Sequence, residues 1–361
     1  MKKKIAIVTG SSGLVGSETA KFLLQKKFVV IGIDNNLRAE LFGSEASTVK
    51  VKLDLKKNGN FIYYNSDIRN FISIKKVFKK YKKNIKIIVH AAAQPSHDWA
   101  YTNPLLDFDV NARSTLNLLM LTKKFCPNSV FIFLSTNKVY GDKPNSISLL
   151  KKKNRWDVPA NSKHYNGINE SFSIDRSIHS FFGVSKTYAD LIVQEFGKNF
   201  GIKTVCFRCG CITGPAHAGA KLHGFLSYLV KSCLKEKYYE MIGYEGKQVR
   251  DNIHSRDLVR AFWEFYKKPK KGEVYNMGGG RFSNCSIIEA IKIIEKKMKI
   301  TVKKKYVKKA RTGDHIWYIS DLSKFQKDFP DWKQEYNIQK ILNELIDDIA
   351  FLSSLKLDKR I

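Results

Sequence analysis

The chain has 361 residues, of which 43% are apolar and 12% aromatic, so it can bury a large core and is too long for one minimal domain. Lysine and arginine outnumber aspartate and glutamate by 64 to 33, and the formal net charge of +31 favours anionic ligands or surfaces. The lysines stand in scattered runs without a zinc-finger spacing, a heptad ladder or an RNA-binding aromatic signature beside them. A nucleic-acid partner is therefore not expected.

Membrane and metal functions are also not expected from the sequence. No apolar stretch approaches the roughly 20 residues that span a bilayer, and the start becomes glycine-rich after too few apolar positions for a secretory signal. We expect a cytoplasmic protein. Cys206, Cys209 and Cys211 form a C-x-x-C-x-C group in an apolar run. On a strand Cys206 points away from the other two, which favours buried thiols over a metal site.

Apolar strands alternate with amphipathic stretches through the first third of the chain. Strands are predicted at KIAIVTG, FVVIGIDN, KIIVHAAA and VFIFLST, with helices between them at SETAKFLLQKK, SIKKVFKKYKK and NARSTLNLLMLTKKF. Strands that are apolar on both faces indicate a parallel sheet covered by helices on each side. Residues 37–60 and 142–170 are polar excursions from this pattern. The predicted fold class is α/β, a Rossmann-type doubly wound parallel sheet with a smaller carboxy-terminal substrate-binding lobe.

The pattern of the chain changes after residue 213. A long helix through SKTYADLIVQEFGKNF and the strand KTVCFRCG still extend the sheet, whereas short strands, helices and polar loops follow. We therefore assign residues 1–213 to the sheet domain and residues 214–361 to a smaller lobe. Residues 246–275 are expected to return and pack on the sheet domain.

A glycine-rich turn follows the first predicted strand. Gly10, Gly13 and Gly16 lie between the strand IAIVT and a helix, where backbone N–H groups can approach a pyrophosphate at the positive end of the helix. Asp34 closes the next strand, where a carboxylate can hydrogen-bond an adenosine ribose and repel the additional phosphate of NADP. Strand, turn, helix and acid together predict a bound dinucleotide, and the acid favours NAD.

Two further segments suit a dinucleotide. Asp67 and Ile68 follow the third strand and can contact adenine, although an aspartate there equally suits a helix N-cap. The segment HAAAQPS, residues 90–96, puts small residues where the fourth strand ends, so a cofactor can lie against the backbone. The predicted NAD contacts in these segments are Gly10, Ser12, Gly13, Leu14, Val15, Gly16, Asp34, Asn35, Asp67, Ile68, Ala91, Ala92 and Ala93.

The motifs VTGSSGLVG, HAAAQPS, STNKVYGD and FFGVSK, with Asp34 and Asn111, resemble those of the extended short-chain dehydrogenase/reductases, the NAD-dependent nucleotide-sugar epimerases and dehydratases. The resemblance extends from about Lys4 to Asp321. Within that family, STNKVYGD, FFGVSK and GKQVRDNIHS are most similar to the CDP-paratose (CDP-tyvelose) 2-epimerase branch. The resemblance implies an isomerase of lipopolysaccharide or other surface-polysaccharide biosynthesis. Such an enzyme oxidises a CDP-sugar transiently and re-reduces it, without consuming external nicotinamide.

The resemblance also implies two catalytic residues, and the chain departs from the family's pattern at a third position. Thr136 hydrogen-bonds the reacting sugar oxygen, and Lys186 holds the nicotinamide ribose while its ammonium lowers the pKa of a nearby acid. The position four residues before Lys186, which holds tyrosine in the family, is Phe182 in this chain. A phenyl ring can neither accept nor donate the proton that moves when a carbinol is oxidised.

Three explanations for Phe182 stay open. Another group serves as the base, which we favour because the rest of the site is intact; or Thr136 and Lys186 work through water; or the protein binds NAD and a sugar nucleotide without turnover. The candidate bases are Tyr140, Tyr165, His179, His217 and Cys209. Of these, His179 is included with Thr136, Phe182 and Lys186 in the predicted catalytic group.

The predicted substrate is a nucleotide sugar, with CDP-hexose favoured. Arginines suit its diphosphate, and the resemblance places Arg250 and Arg311 at the diphosphate or its ribose. The glycine-rich segment 214–225, which contains His217, is predicted to cover the substrate. The predicted substrate contacts are Gln94, Ser96, Asn137, Lys138, His217, Arg250 and Arg311.

Other assignments stay open beside the 2-epimerase. A 4-epimerase or a dehydratase would form the ketone at another carbon, although most dehydratases of the family carry an Asp-Glu pair where Asn137 and Lys138 stand. A non-catalytic NAD-sensing or RNA-associated protein would fit Phe182 and the net charge of +31. In relatives, the helix that begins near Asn111 and the helix of Phe182 often build a dimer interface, so a homodimer is expected.

Overall fold

The computed structural model describes residues 3–215, 224–235, 238–310 and 314–357, with side chains up to residue 349. Its strands are β1 (Ile5–Thr9), β2 (Val29–Asp34), β3 (Phe61–Asn65), β4 (Ile85–His90), β5 (Val130–Thr136), β6 (Leu150–Lys151), β7 (Trp156–Asp157), β8 (Lys203–Cys209), β9 (Cys211–Thr213), β10 (Tyr239–Ile242), β11 (Val249–His254), β12 (Glu273–Met277), β13 (Asn284–Ser286), β14 (Lys304–Val307) and β15 (Trp317–Tyr318). Its α-helices are α1 (Leu14–Gln25), α2 (Leu37–Phe42), α3 (Val49–Lys56), α4 (Phe71–Tyr81), α5 (His97–Thr102), α6 (Pro104–Phe108), α7 (Ser114–Phe125), α8 (Ser180–Phe200), α9 (Phe225–Leu234), α10 (Ser255–Lys267), α11 (Ile287–Met298), α12 (Ser323–Asp328) and α13 (Ile338–Leu357).

A seven-stranded parallel sheet in the order β12-β8-β5-β4-β1-β2-β3 forms the centre of the molecule. Along β1, Ala6 and Val8 face one apolar cluster with α1 and α10, whereas Ile5 and Ile7 face another with α4, α7 and α8. Both faces of the strand are buried, which is why it reads as a continuous apolar run. The predicted Rossmann-type α/β fold is confirmed.

The excursion predicted at residues 37–60 contains regular structure. Helices α2 and α3 lie there, and Leu55 on α3 is 3% exposed in the cluster beside α1. The apolar residues of α3 alternate with charged ones instead of recurring at a helical spacing, so the sequence did not indicate this helix. The second excursion, residues 142–170, holds the short antiparallel pair β6 and β7.

Helices α9, α11 and α13 share an apolar cluster of their own, which includes Leu229, Ile291 and Leu342. Helix α10 packs on α1, and Phe325 of α12 lies 5.7 Å from Phe207 of β8 between ring centroids. The polypeptide thus returns to the sheet after residue 246 and again near residue 325. The division into residues 1–213 and 214–361 stays a proposal.

The predicted thiol group does not converge. Cys206 belongs to the cluster on one face of the sheet and Cys209 to the cluster on the other, while Cys211 lies in β9, outside that sheet. Within the described ranges, no cluster of three or more metal-ligating side chains occurs. In the same ranges, no helix is long and apolar enough to cross a bilayer.

A buried ion pair joins α8 to β8. The Arg208 Nη2 atom lies 2.8 Å from Asp190 Oδ1, its Nε lies 3.1 Å from Oδ2, and Ser135 donates a hydrogen bond of 2.6 Å to the same carboxylate. Both partners are almost fully buried. Removal of the carboxylate would leave a desolvated guanidinium without its counter-charge.

We expect Asp190→Ala to lower the free energy of unfolding by about 3–5 kcal/mol, because breaking a buried pair from one side costs that much. Urea denaturation measures the change through the transition midpoint and slope. The double variant Asp190→Leu/Arg208→Met, which removes both charges, should be more stable than Asp190→Ala. An Asp190→Ala protein as stable as the wild type would contradict the prediction.

Candidate active site

A cavity of about 1250 Å³ opens at the carboxyl ends of β1, β2, β4, β5 and β8. This volume exceeds the ~300–1,000 Å³ of an ordinary ligand pocket, so there is room for a dinucleotide and a second ligand side by side. The residues of the opposite wall come from the later part of the chain and include Phe225, Tyr228, Tyr239, Glu240, Ile242, Gln248, Arg250, Lys309 and Asp314. The predicted NAD contacts in the wall are Gly10, Gly13, Leu14, Val15, Gly16, Asp34, Asn35, Asp67, Ile68, Ala91, Ala92 and Ala93.

The glycine turn is packed so tightly that side chains are excluded from it. Gly10 has φ +66°, and a Cβ on it would lie 2.8 Å from Ala92 Cα. A Cβ on Gly16 would lie 2.0 Å from the Gly10 carbonyl oxygen. Helix α1 begins at Leu14, three residues earlier than the segment predicted from the sequence, so Gly16 belongs to its first turn. The open N–H groups of this helix end therefore face the cavity.

The carboxylate of Asp34 is held at the end of β2 by backbone donors. The Ser12 N–H donates to Oδ2 over 2.9 Å, and the Asn36 N–H donates to Oδ1 over 2.8 Å. Burial raises the pKa of Asp34, and these two hydrogen bonds oppose the shift. Asn35 in turn donates to Asp67 over 3.0 Å. The predicted ribose and adenine contacts thus form one connected edge of the cavity.

Ser12 occupies a different place from the other predicted NAD contacts. It does not line the cavity wall, and its buried hydroxyl oxygen has no hydrogen-bond partner within the described part of the chain. Buried hydroxyls are normally satisfied, but this one lies behind the cavity wall, so it does not indicate a ligand contact. The turn, which leaves no room for side chains, and the carboxylate of Asp34 make the site fit a dinucleotide.

Thr136, Phe182 and Lys186 all line the same cavity. The Lys186 ammonium donates a hydrogen bond of 2.7 Å to the Leu134 carbonyl and lies 4.1 Å from the centroid of the Phe133 ring. Burial lowers the pKa of Lys186 to about 8, against the opposing charge of Asp190. The structure therefore brings the two predicted catalytic residues together, with a phenyl ring between α8 and the cavity.

Two of the predicted substitute bases point away from the cavity and a third lies at the surface. Tyr140 donates to Asn276 over 2.8 Å and lies in the core, and the His179 Nε2 atom lies 2.9 Å from the Val139 carbonyl oxygen. Tyr165 is 46% exposed beneath Arg281. None of the three lines the cavity. Their side chains are occupied by contacts that the sequence does not reveal.

The remaining two predicted bases are Cys209, which the structure describes, and His217, which it does not. Cys209 lines the cavity, but burial raises the pKa of its thiol, which keeps it protonated and poorly suited to accept a proton. His217 lies outside the described residues, as do Arg311 and most of the predicted covering segment.

Gln94 and Ser96 were predicted to contact the substrate, but the structure turns both inward. Gln94 donates hydrogen bonds of 2.8 Å to Asp107 and to the Ser96 carbonyl, and its own N–H donates to Asn111 over 3.0 Å. Both predicted residues are about 1% exposed or less and neither lines the cavity. A buried polar network holds both side chains in the loop after β4, away from the cavity.

His97, which follows this loop directly, was missed by the sequence analysis. It lines the cavity, and its ring centroid lies 5.0 Å from that of Phe182. Its position immediately after HAAAQPS was the available signal, but nothing in the sequence places it against α8.

The opposite wall carries more positive than negative charge. The Arg250 guanidinium donates to the Asp314 carboxylate, and Lys138 lies near both. Burial raises the pKa of Asp314, but the charges of Arg250 and Lys138 outweigh this effect and lower the pKa to about 2. Burial lowers the pKa of Lys138 to about 8. With Lys309 and Glu240, which line the same wall, three cations face two carboxylates, and the excess of one positive charge suits a diphosphate. Asn137 also lines this part of the cavity.

A sequence profile of the NAD dependent epimerase/dehydratase family matches residues 6–278. The chain belongs to this family. The resemblance inferred from its motifs is thereby confirmed, and NAD as the predicted cofactor is confirmed at the level of the family.

Relatives that catalyse different reactions match this chain over nearly its whole length. CDP-paratose 2-epimerase from Salmonella typhi is 27% identical over 351 residues, covering 94% of this chain and 98% of that protein. UDP-glucuronate 4-epimerase from Thermodesulfobacterium geofontis is 26% identical and covers 97% and 98%. Among solved structures, UDP-glucuronic acid 4-epimerase from Bacillus cereus in complex with UDP-glucuronic acid and NAD has a TM-score of 0.78 at 24% identity, covering 96% of this chain and 99% of that chain. This last likeness shows the fold.

Proposed function

We propose that this protein is an NAD-dependent nucleotide-sugar 2-epimerase that acts on a CDP-sugar in the cytoplasm, in surface-polysaccharide biosynthesis. The observation that carries the proposal is that one cavity holds the glycine turn, the pair of Thr136 and Lys186, and a wall with excess positive charge. The similarity to CDP-paratose 2-epimerase over 94% of the chain supports the choice of substrate and carbon.

The chain's own residues then have distinct tasks. The first turn of α1 binds the pyrophosphate of NAD with its open N–H groups, and Asp34 accepts hydrogen bonds from the adenosine ribose. Bound NAD supplies a hydride acceptor, and afterwards a hydride donor, beside the sugar. Thr136 hydrogen-bonds the sugar oxygen that becomes a carbonyl, and the Lys186 ammonium stabilises negative charge developing there. Epimerisation would require the ketosugar to turn over within this cavity.

The wall opposite the sheet suits a cytidine diphosphate. Arg250 and Lys138 both line the cavity and provide the cations for the phosphates. Glu240 also lines this wall. A carboxylate accepts a hydrogen bond from the exocyclic amino group of cytosine, whereas a carbonyl oxygen at the same position, as in uracil, would be repelled. Glu240 therefore supports CDP over UDP where it meets the C4 substituent of the base.

The experiment uses CDP-paratose and CDP-glucose that carry deuterium at C2. We expect inversion at C2 with the deuterium retained, since the hydride leaves and returns within one cavity. Inversion at C4 would instead support a 4-epimerase, and loss of water a dehydratase. A protein that binds NAD and these CDP-sugars but leaves them unchanged would support the non-catalytic alternative. A salt-sensitive shift of RNA would support the RNA-associated one.

A homodimer is part of the proposal, and one surface supports it. Helix α8 presents four exposed apolar side chains at helical spacing, and α7 adds Met120, which is 50% exposed. Those on α8 are Phe181, Val184, Tyr188 and Leu191. Tyr188 also contacts Phe108, with ring centroids 6.1 Å apart, so the apolar surface continues onto α6. A second copy of the chain would cover this surface.

We expect Met120→Glu and Leu191→Glu each to convert a dimer into monomers, because a charge buried in an apolar interface has no partner. Sedimentation velocity measures the change. Ile72→Glu is the matched control, since Ile72 is 68% exposed on α4, outside this surface, and its replacement should leave the dimer intact. A wild type that sediments as a monomer would refute the dimer.

A further inference from the structure

We propose that His97 is the acid and base that replaces the tyrosine expected at Phe182. The inference rests on the proposed function, because it assigns a proton acceptor to the sugar oxidation. The site needs such a group at this place, since neither the phenyl ring nor the protonated thiol of Cys209 can accept the proton.

His97 lies beside Phe182 in the cavity. It begins α5 directly after the buried network of Gln94 and Ser96, so hydrogen bonds hold the loop that carries it. Its imidazole meets the Phe182 ring edge to face, at 5.0 Å between centroids and 62° between planes. Both rings line the cavity that also contains Thr136 and Lys186. An imidazole therefore stands beside the position where the family tyrosine would present its phenol.

A contact with Ser180 orients the imidazole of His97. The His97 Nδ1 atom lies 2.8 Å from the Ser180 hydroxyl oxygen, which also accepts a hydrogen bond of 3.3 Å from the Gly183 N–H. A hydroxyl oxygen has two lone pairs, so it can accept from Nδ1–H as well. That tautomer leaves Nε2 as the basic nitrogen, as the proton-transfer role requires. Ser180 is then a positioning residue for His97.

The backbone at Ser180 supports the same reading. Ser180 has φ +60°, in the left-handed region that serine rarely adopts, at the start of α8. A strained conformation persists only where the surrounding structure holds it, and such residues cluster at functional sites. Here the conformation accompanies a hydroxyl that links α8 to the ring of His97.

The proposed oxidation conserves atoms and charge. The O–H bond and the C2–H bond of the sugar break, and a C2=O bond forms. The proton moves to Nε2 of His97, and the hydride moves to the nicotinamide ring. After the ketosugar has turned over, imidazolium returns the proton to oxygen while the hydride returns to C2 from the other side. The cycle consumes neither a proton nor an external oxidant.

The test compares His97→Gln with the double variant His97→Gln/Phe182→Tyr, both loaded with NAD and supplied with CDP-paratose. We expect His97→Gln to lower kcat by ~100-fold or more, the usual worth of general acid–base catalysis, with KM and bound NAD little changed. The added tyrosine should restore at least ~10-fold, because it returns a proton-transfer group to the same place. His164→Gln is the control, since His164 packs on Phe172 and does not line the cavity.

Ser180→Ala tests the positioning role. It should lower kcat without raising KM and should displace the acidic limb of the pH–rate profile, because that limb reports protonation of the imidazole. A purely structural serine would leave the limb where it is.

Failure of this inference differs from failure of the proposed function. A wild type that epimerises while His97→Gln retains its kcat overturns the role of His97 alone. A wild type that inverts no CDP-sugar overturns the proposed function. In that case the ¹H–¹³C resonances of the histidine rings, recorded with and without CDP-glucose, decide about His97. A shift confined to His97 supports its place at the sugar, and a bound CDP-glucose that leaves it unmoved overturns it.

Discussion

Gly16→Ala should lose NAD binding by at least ~100-fold, a loss that a displacement of about 1 Å in a preorganised site can produce. The added Cβ would lie 2.0 Å from the Gly10 carbonyl oxygen, 2.6 Å from its carbon and 2.9 Å from Ser11 Cα. All three are backbone atoms, so the turn itself has to move. Calorimetric titration with NAD measures the loss, and the thermal unfolding midpoint shows that the variant is still folded.

Gly59→Ala is the matched control for that substitution. A Cβ on Gly59 would meet nothing within 4 Å, so the same change of residue adds a methyl group to open space. We expect NAD binding equal to that of the wild type. If Gly16→Ala also bound NAD with unchanged affinity, the glycine turn would not be the pyrophosphate site.

Lys186→Met should lower kcat by ~1,000-fold, within the range that loss of a preorganised charge at the reacting oxygen can cause. The wild type should also lose activity as the pH rises through about 8, the value to which burial lowers the pKa of Lys186. The ammonium is present below that pH and lost above it, so the limb falls toward alkaline pH. Initial rates of epimerisation between pH 6 and 9 measure it.

Lys138→Met distinguishes the titration of Lys186 from that of Lys138, the other cavity lysine with a lowered pKa. Burial lowers the pKa of Lys138 to about 8 as well, but it lies beside Arg250 and Asp314, on the diphosphate side. Its replacement should raise KM for the nucleotide sugar and leave the falling limb of kcat in place. A limb that disappears with Lys138→Met would assign the titration to Lys138 and refute the assignment to Lys186.

The central sheet and the glycine turn were predictable because they follow from local rules. Strands β1, β2, β4 and β5 read as apolar runs since both faces are buried, and a parallel sheet explains that pattern. Glycines between a strand and a helix indicate a phosphate turn by sterics alone, and the close approach of Gly10 and Gly16 is the expected one. The helices of residues 37–60 were missed, because α3 buries only Leu55 and its apolar positions alternate with charged ones, which is not a helical spacing.

The sequence by itself therefore determined the fold class and the edge of the sheet where a dinucleotide can lie, and its resemblance to the family pointed to Thr136 and Lys186. Tertiary structure alone decided which polar side chains face the cavity. Gln94 and Ser96 look like ligand contacts in one dimension, but a buried network turns them away, while the next residue, His97, meets Phe182 across 85 positions of chain. Side-chain direction depends on long-range packing and hydrogen bonding, which no local pattern of residues encodes.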